Sequence, residues 1–535
     1  MSEKEARELL DTVKNLTASV EELTAANENL TAENKRLKQK LERMNELLLN
    51  AQRARFGQSS EKRSYVLPDS EQMRLFNEAE QTQDAKAEEP TEKTLVAAHE
   101  RKKKRTNEEL TKELPTQDVI LDIPENQRIC VTCGEEMACI GKKFLYEELQ
   151  TIPKQVMRVR YYAKTYACKH CEEQTGYGCL TSAAPPPRLL KHSLASPSTV
   201  ANVMTQKYVD GIPLARQEKI WKREGVELSR ATLANWVIEV SRRWLRPLYR
   251  LIRKRLSELN VIHADETVVQ VLKEDGKPAT SESRMWVYAS GRYEGEPIRF
   301  FEYQPDRSGK HPAALLKDFS GCMVTDGYAG YAQVLRAKRC GCWAHMRRKW
   351  REAMPKGATP ATSQAAIGYE YCNKLFSLER KFETFAPKTR RQARQAQVEP
   401  LLDVYWAWVE KLDPAPGSKL EDAVVYARNQ KAYLNEFLLH GEVDISNNIA
   451  ENAIRPFVVG RKNWLFCDTP KGAEASAVVY TLVETAKVNA LDPFRYLNYV
   501  LFNIRFLGQN PSNEELEEFL PWNEAVRLAC KPKLS

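Results

Sequence analysis

Leucine recurs every seventh residue through Leu9, Leu16, Leu23, Leu30 and Leu37, and Met44 continues the series. A second seam of Val13, Val20, Asn27, Asn34, Leu41 and Leu48 keeps the same period, four residues behind the first. These are the d and a positions of a coiled coil, and Leu at d with Val or Asn at a favours a parallel dimer. Asn27 and Asn34 would pair across the seam and fix its register. The other arrangement open to such a helix is a hairpin folded back on its own chain. The pattern ends at a short basic segment carrying Arg53, Arg55 and Lys62 around Gly57, so residues 1–62 read as a coiled coil with a basic extension.

The periodicity then changes character several times. Residues 63–115 are polar, without apolar period, and contain the run Arg101-Lys-Lys-Lys-Arg105, as expected of a disordered linker. Residues 116–182 alternate like short strands, notably over Gln155–Tyr166, and a break follows at Pro185–Pro187. Across 190–250 the spacing is helical. Ser196-Pro197 opens one helix, Gly211-Ile-Pro213 closes it, Gly225 ends a second, and Ser229 caps a third with Leu233, Trp236, Val237 and Val240 on one face. That is a helix-turn-helix-like pattern, although a plain helical bundle has the same spacing.

From residue 255 onward the chain becomes β-branched. Three strands are expected around Asn260–Leu272, Met285–Ala289 and Ile298–Tyr303, then a helix near Pro312–Phe319, a strand at Cys322–Asp326 and another at Cys340–Ala344. This is the element order of an RNase H-like core (255–345). Residues 346–440 read as a helical insertion, 441–490 as the second part of the core and 491–535 as a C-terminal helical tail. The fold class is therefore multidomain α+β.

Composition narrows the partners. The chain has 535 residues, 42% apolar, with 81 basic and 72 acidic side chains and a net charge of +9, an excess that permits nucleic-acid binding. No apolar run is long enough for a membrane span, and the charged N-terminus does not resemble a signal peptide, so a cytoplasmic protein is expected. Of the 12 cysteines, Cys130-Val-Thr-Cys133 and Cys168-Lys-His-Cys171 have metal-ligand spacing. In a long chain of this kind they point to structural Zn²⁺ in a ribbon, with Cys139, His170 and Cys179 as substitute ligands.

Asp265 sits inside an apolar strand, where a carboxylate needs a partner, and Asp326 ends another strand. In the RNase H-like order these two lie side by side and can hold Mg²⁺ or Mn²⁺. Asp326-Gly327 also has the look of a simple turn. Cys340, Cys342 and His345 offer a second metal site, but packing at a strand end is the better account. Trp343 and Trp464 read as core, though either could stack on a splayed base.

Dispersed motifs in fixed order carry a resemblance. They are Arg55-Phe-Gly57, Ser60-Glu-Lys62, the CxxC pairs, Lys207-Tyr208, Ile212–Gln217, His263-Ala-Asp-Glu-Thr267, Thr325–Tyr331, Cys342–Arg348, Asn447-Asn-Ile-Ala-Glu451, Ile454-Arg-Pro456 and Gly460–Phe466. The chain resembles insertion-sequence transposases of the IS66 type along nearly all its length. The resemblance implies a DDE site of Asp265, Asp326 and Glu451, two catalytic Mg²⁺ or Mn²⁺ ions, terminal inverted repeats and target DNA as partners, and small accessory proteins of the same element. Arg347, Arg348, Arg455, Arg461 and Lys462, with Lys222, Arg223 and Arg230 upstream, are the expected contacts to double-stranded DNA. Such a protein would be nucleoid-associated when bound. Where the family usually has Asp-Asn-Asn and Glu-Arg, this chain has Ser446 before Asn447-Asn448 and Asn452 after Glu451. Glu451 also has a local reading: Ser446 as helix cap, Asn448 with Glu451 as a capping box, and an ion pair to Arg455. A DNA-binding protein without catalysis is the alternative function, and a general RNase H-like nuclease a third.

Overall fold

The computed structural model describes residues 12–31, 33–34, 36–37, 44, 156–167, 180–355, 357–508 and 510–532. The linker, the basic segment, the Arg101–Arg105 run and the cysteines Cys130, Cys133, Cys139, Cys168, Cys171 and Cys179, with His170, lie outside them. The chain divides into two compact units, Met1–Gly57 with Arg160–Pro532, and Gln58–Val159 with Lys533–Ser535. The first is described below.

Residues 12–31 are helical. The hydroxyls of Thr17, Thr24 and Thr31 each donate to the carbonyl one turn back, at Val13, Val20 and Asn27. The heptad leucines are open to solvent, Leu16 at 61% and Leu23 at 69%.

A short antiparallel pair, β1 (Thr165–Ala167) and β2 (Leu180–Ser182), precedes three helices. They are α1 (Pro197–Tyr208), α2 (Leu214–Arg223) and α3 (Arg230–Val240). Their ends are built as the sequence predicts. Ser196 accepts from the Thr199 N–H and Ser229 from the Thr232 N–H, each at 3.1 Å. Gly211 and Gly225 adopt φ of 69° and 80°, which only glycine takes without strain. α3 does not stop where its apolar period ends. It continues through a π-helical turn, Ser241–Leu245, into α4 (Arg246–Ser257).

The sheet comprises β3 (Val261–Gln270), β4 (Glu282–Ser290), β5 (Arg299–Gln304), β6 (Cys322–Thr325) and β7 (Lys338–Gly341), in the order β5-β4-β3-β6-β7. The first three strands are antiparallel; β6 joins β3 in parallel and β7 joins β6 in parallel. Helix α5 (Lys310–Leu315) lies in the crossover from β5 to β6. β6 is buried throughout, as an inner parallel strand covered on both faces should be.

Side-chain alternation divides the interior in two. Ile262, Ala264 and Met323 belong to one core; Val261, Cys322 and Val324 belong to the other. The first core is shared with α1, α3, α4, α11 (Asn448–Trp464), α12 (Pro470–Val488) and α13 (Pro493–Ile504). The helix-turn-helix-like segment is thus packed into the same core as the sheet. The second core gathers α6 (Trp343–Ala353), α7 (Gln364–Lys381), α8 (Pro387–Ala393), the π-helical turn Arg394–Val398, α9 (Glu399–Glu410) and α10 (Lys419–Asn435). At its centre Trp343 donates to the Leu434 carbonyl and Trp350 to the Tyr405 hydroxyl. Trp343 is therefore core, as expected. Trp464 packs edge-on against Phe457 at 5.4 Å, beneath the Lys207 ammonium.

Where this helical region returns toward the sheet, Arg394 is wholly buried. It grips Glu379 with two bonds of 2.7 and 2.8 Å and donates to the carbonyls of Phe437, His440 and Val443.

Candidate active site

The β3–β6 register pairs Val261 with Cys322, Ile262 with Met323 and His263 with Val324. Continued two residues further, it sets Asp265 opposite Asp326, on strands roughly 4.8 Å apart. Asp265 accepts the Glu266 N–H at 2.8 Å. Burial pushes its carboxyl well above the ordinary 3.8, and the charges of Glu266, Asp326 and Glu451 push it further. Asp326 lies just past β6. Its carboxylate accepts the Tyr328 N–H at 2.9 Å, while its carbonyl accepts from Arg339 at 2.8 Å. Asp326-Gly327 is therefore a turn as well as a position facing Asp265.

Glu451 approaches from the first turn of α11. Its Oε1 is enclosed and has no hydrogen-bond partner. Its nearest cations are His345 and Arg348, each at 3.9 Å, rather than Arg455. The local reading of this helix start needs correction. The N-cap is Asn447, not Ser446, and no side-chain cap is made. Asn447 is buried and its side chain is used elsewhere. Nδ2 donates to the Ala264 carbonyl at 2.8 Å, and Oδ1 meets His263 Nδ1 at 3.3 Å. Its own N–H points to the Cys342 sulfur at 3.1 Å. Asn447 thus ties together the residue before Asp265, the start of the Glu451 helix and the end of β7. The sequence concealed this because Asn447 looked like one more residue in a helix-starting run.

Glu266, on the other face of β3, is clamped. Arg307 donates to Oε1 at 2.6 Å and Tyr331 to Oε2 at 2.7 Å. Burial raises its carboxyl and Arg307 opposes that shift. Its oxygens are thereby committed, which leaves Asp265 as the free acid of the Asp-Glu pair. Beside it, burial pushes His263 down to about 4, so the ring is neutral and its Nδ1–H can donate to Asn447. Burial works against an imidazolium at His345 too, but the Cys342 thiol, Glu451 and Asp326 outweigh it and hold that ring at about 9.

The expected DNA-contacting cations are dispersed. Arg348 is exposed beside Glu451, and Arg455 is exposed on α11. Arg347 lies over the rings of Tyr369 and Phe376 and donates to the Tyr369 hydroxyl at 3.1 Å, which fastens α6 to α7. Arg461 is half-buried, 3.4 Å from the Thr267 hydroxyl, and Lys462 follows it, half-buried also. Lys222, Arg223 and Arg230 are exposed where α2 passes into α3. Cys340 and Cys342 are buried, in keeping with packing at a strand end, but His345 is not part of that packing alone, since it lies against Glu451.

Four family models match the chain. The transposase IS66 family spans residues 192–475, the IS66 C-terminal element 481–522, the zinc-finger binding domain of transposase IS66 127–172, and the model described as transposase C of IS166 homeodomain 43–119. The zinc-finger match encloses both CxxC pairs. Among curated proteins, the chain is similar to two uncharacterized proteins of Sinorhizobium fredii. It is 30% identical to y4qI, over 73% of this chain and 72% of that protein. It is 28% identical to y4jD, over 77% and 81% respectively. No solved structure matches. No helix among the described residues is long and apolar enough to cross a membrane.

Proposed function

Because the chain belongs to the IS66 transposase family, we propose that it binds the terminal inverted repeats of an insertion sequence, cuts their 3′ ends and joins them to target DNA at Asp265, Asp326 and Glu451. The observation that carries this reading is the parallel register setting Asp265 against Asp326, with Glu451 brought into the same electrostatic neighbourhood. Three antiparallel strands followed by two parallel ones support an RNase H-like core.

The residues present suit divalent cations. A carboxyl raised by burial and by the charges of three other acids is what a bound cation would relieve. Asp265, Asp326 and Glu451 would hold two Mg²⁺ or Mn²⁺ ions, which would supply an activated water or 3′-hydroxyl and stabilisation of the leaving oxygen. The protein's own part is positional. Asn447 fixes Glu451 relative to β3, and the Arg307–Tyr331 clamp keeps Glu266 out of the metal ligand set. Arg348, Arg455 and the cations at the α2–α3 junction contact phosphates. The pairs Cys130/Cys133 and Cys168/Cys171 hold a structural Zn²⁺. The open leucine seam of the N-terminal helix joins two copies.

Neither departure from the family pattern bears on Glu451's anchor, which is Asn447; Asn452 is exposed. That favours an active enzyme over a purely DNA-binding one. Strand transfer of a terminal-repeat duplex in Mn²⁺ or Mg²⁺ tests the reading. Asp265→Asn and Asp326→Asn should each abolish it while leaving duplex binding intact, and undiminished transfer in either would refute the site.

A further inference from the structure

We propose that Cys342, His345 and Glu451 form a second cation site, sharing Glu451 with the acid cluster, that takes a thiophilic divalent ion of the zinc class. One ligand atom from each residue lies within 4.8 Å of the others. Cys342 is the N-cap of α6 and His345 belongs to its first turn, so the Cys-x-x-His spacing brings both side chains to one helix end. Glu451 comes from α11.

Two observations point to a ligand rather than to packing. His345 Nδ1 and Glu451 Oε1 are both enclosed, and neither has a hydrogen-bond partner. They stand 3.9 Å apart, too far for a hydrogen bond. In a tetrahedral zinc site, bond lengths of about 2.0–2.3 Å put neighbouring ligand atoms roughly 3.3–3.8 Å apart. A side-chain shift of a few tenths of an ångström closes that difference. Cys342 is suited to the third position. Its sulfur accepts the Asn447 N–H at 3.1 Å and stands at the N-terminus of α6, three residues before His345.

The donor set chooses the ion. Thiolate and imidazole select zinc over magnesium, whereas Asp265 and Asp326 offer only oxygen. Three protein ligands leave a fourth position open. A second Cys–His–Glu grouping, Cys322, His440 and Glu442, lacks these marks, since His440 Nε2 is already bonded to Glu436 at 3.1 Å.

Binding at this site does not depend on the proposed catalysis, and the test keeps the two apart. The full-length protein is equilibrated with Zn²⁺ in excess Mg²⁺, desalted, and its zinc counted by elemental analysis. The wild type should hold one equivalent more than Cys342→Ser, His345→Gln or Glu451→Gln. Asp265→Asn should retain that equivalent, whatever it does to strand transfer. Equal zinc in the wild type and His345→Gln would overturn the site. If Cys342→Ser does not fold, by circular dichroism, His345→Gln decides alone.

Discussion

Replacing Asn447 by alanine should separate the anchoring of Glu451 from its chemistry. The amide is buried and makes two side-chain hydrogen bonds, to the Ala264 carbonyl and to His263. Alanine leaves both partners unmet inside the protein, and each such orphan costs about 1–3 kcal/mol. Some relaxation within the β-ladder lowers the sum to about 2–5 kcal/mol. Urea unfolding followed by far-UV circular dichroism measures it as a shift in midpoint at constant slope. Strand transfer should fall by more than the folded fraction does, because Glu451 is no longer held against β3. The neighbouring Asn448 is exposed, and Asn448→Ala should stay within about 0.5 kcal/mol of the wild type. A wild-type midpoint for Asn447→Ala, or a larger loss for Asn448→Ala, would refute the anchor and restore the capping reading.

Three further expectations follow from the same geometry. Asp265 has a raised carboxyl in the fold, so the stability it contributes is present below its ordinary value of 3.8 and is lost as pH rises through the folded value. Without added magnesium, Asp265→Asn should therefore be more stable than the wild type at neutral pH, with the gap closing in acid; a gap that widens in acid contradicts the sign. Arg307→Ala strips the cation from Glu266, whose side chain is only 3% exposed against 46% for the arginine, and should cost about 1–3 kcal/mol after allowance for that exposure. An unchanged urea midpoint would show the clamp to be idle. Leu16→Glu with Leu23→Glu should halve the mass seen by light scattering without altering the unfolding of the core, because both side chains are exposed in the single chain; a mass unaltered by the double change would place self-association elsewhere.

How far the site could be read in advance depended on how local its causes were. A carboxylate at Asp265 amid β-branched neighbours is a local anomaly, and the strand around it formed as expected. Helix ends at Ser196, Ser229, Gly211 and Gly225 are equally local and followed their residues. From its own neighbourhood Glu451 read as a cap or an ion pair to Arg455, and only the family resemblance pointed to the site, because its companions His345 and Arg348 lie on another helix. The same holds for Asn447, whose partner carbonyl belongs to residue 264, and for Arg307 at Glu266. No periodicity announces a hydrogen bond between residues so far apart in the chain. The packing of α1–α4 into the sheet's own core was hidden for the same reason: apolar spacing shows that a face is covered, not what covers it.

The buried Arg394 has a bearing on whether the site is complete. Its guanidinium fastens the carbonyls of Phe437, His440 and Val443, the last stretch of chain before Asn447. Glu451 lies 125 residues beyond Asp326, and the stretch that leads into its helix is fastened by this guanidinium, so its place beside the other two acids depends on the packing of the helices in between. On the proposed assignment, a chain in which that fastening is loosened keeps two of its three acids in place and loses the third. The integrity of a helical region that touches none of the three acids would then decide whether they stand together.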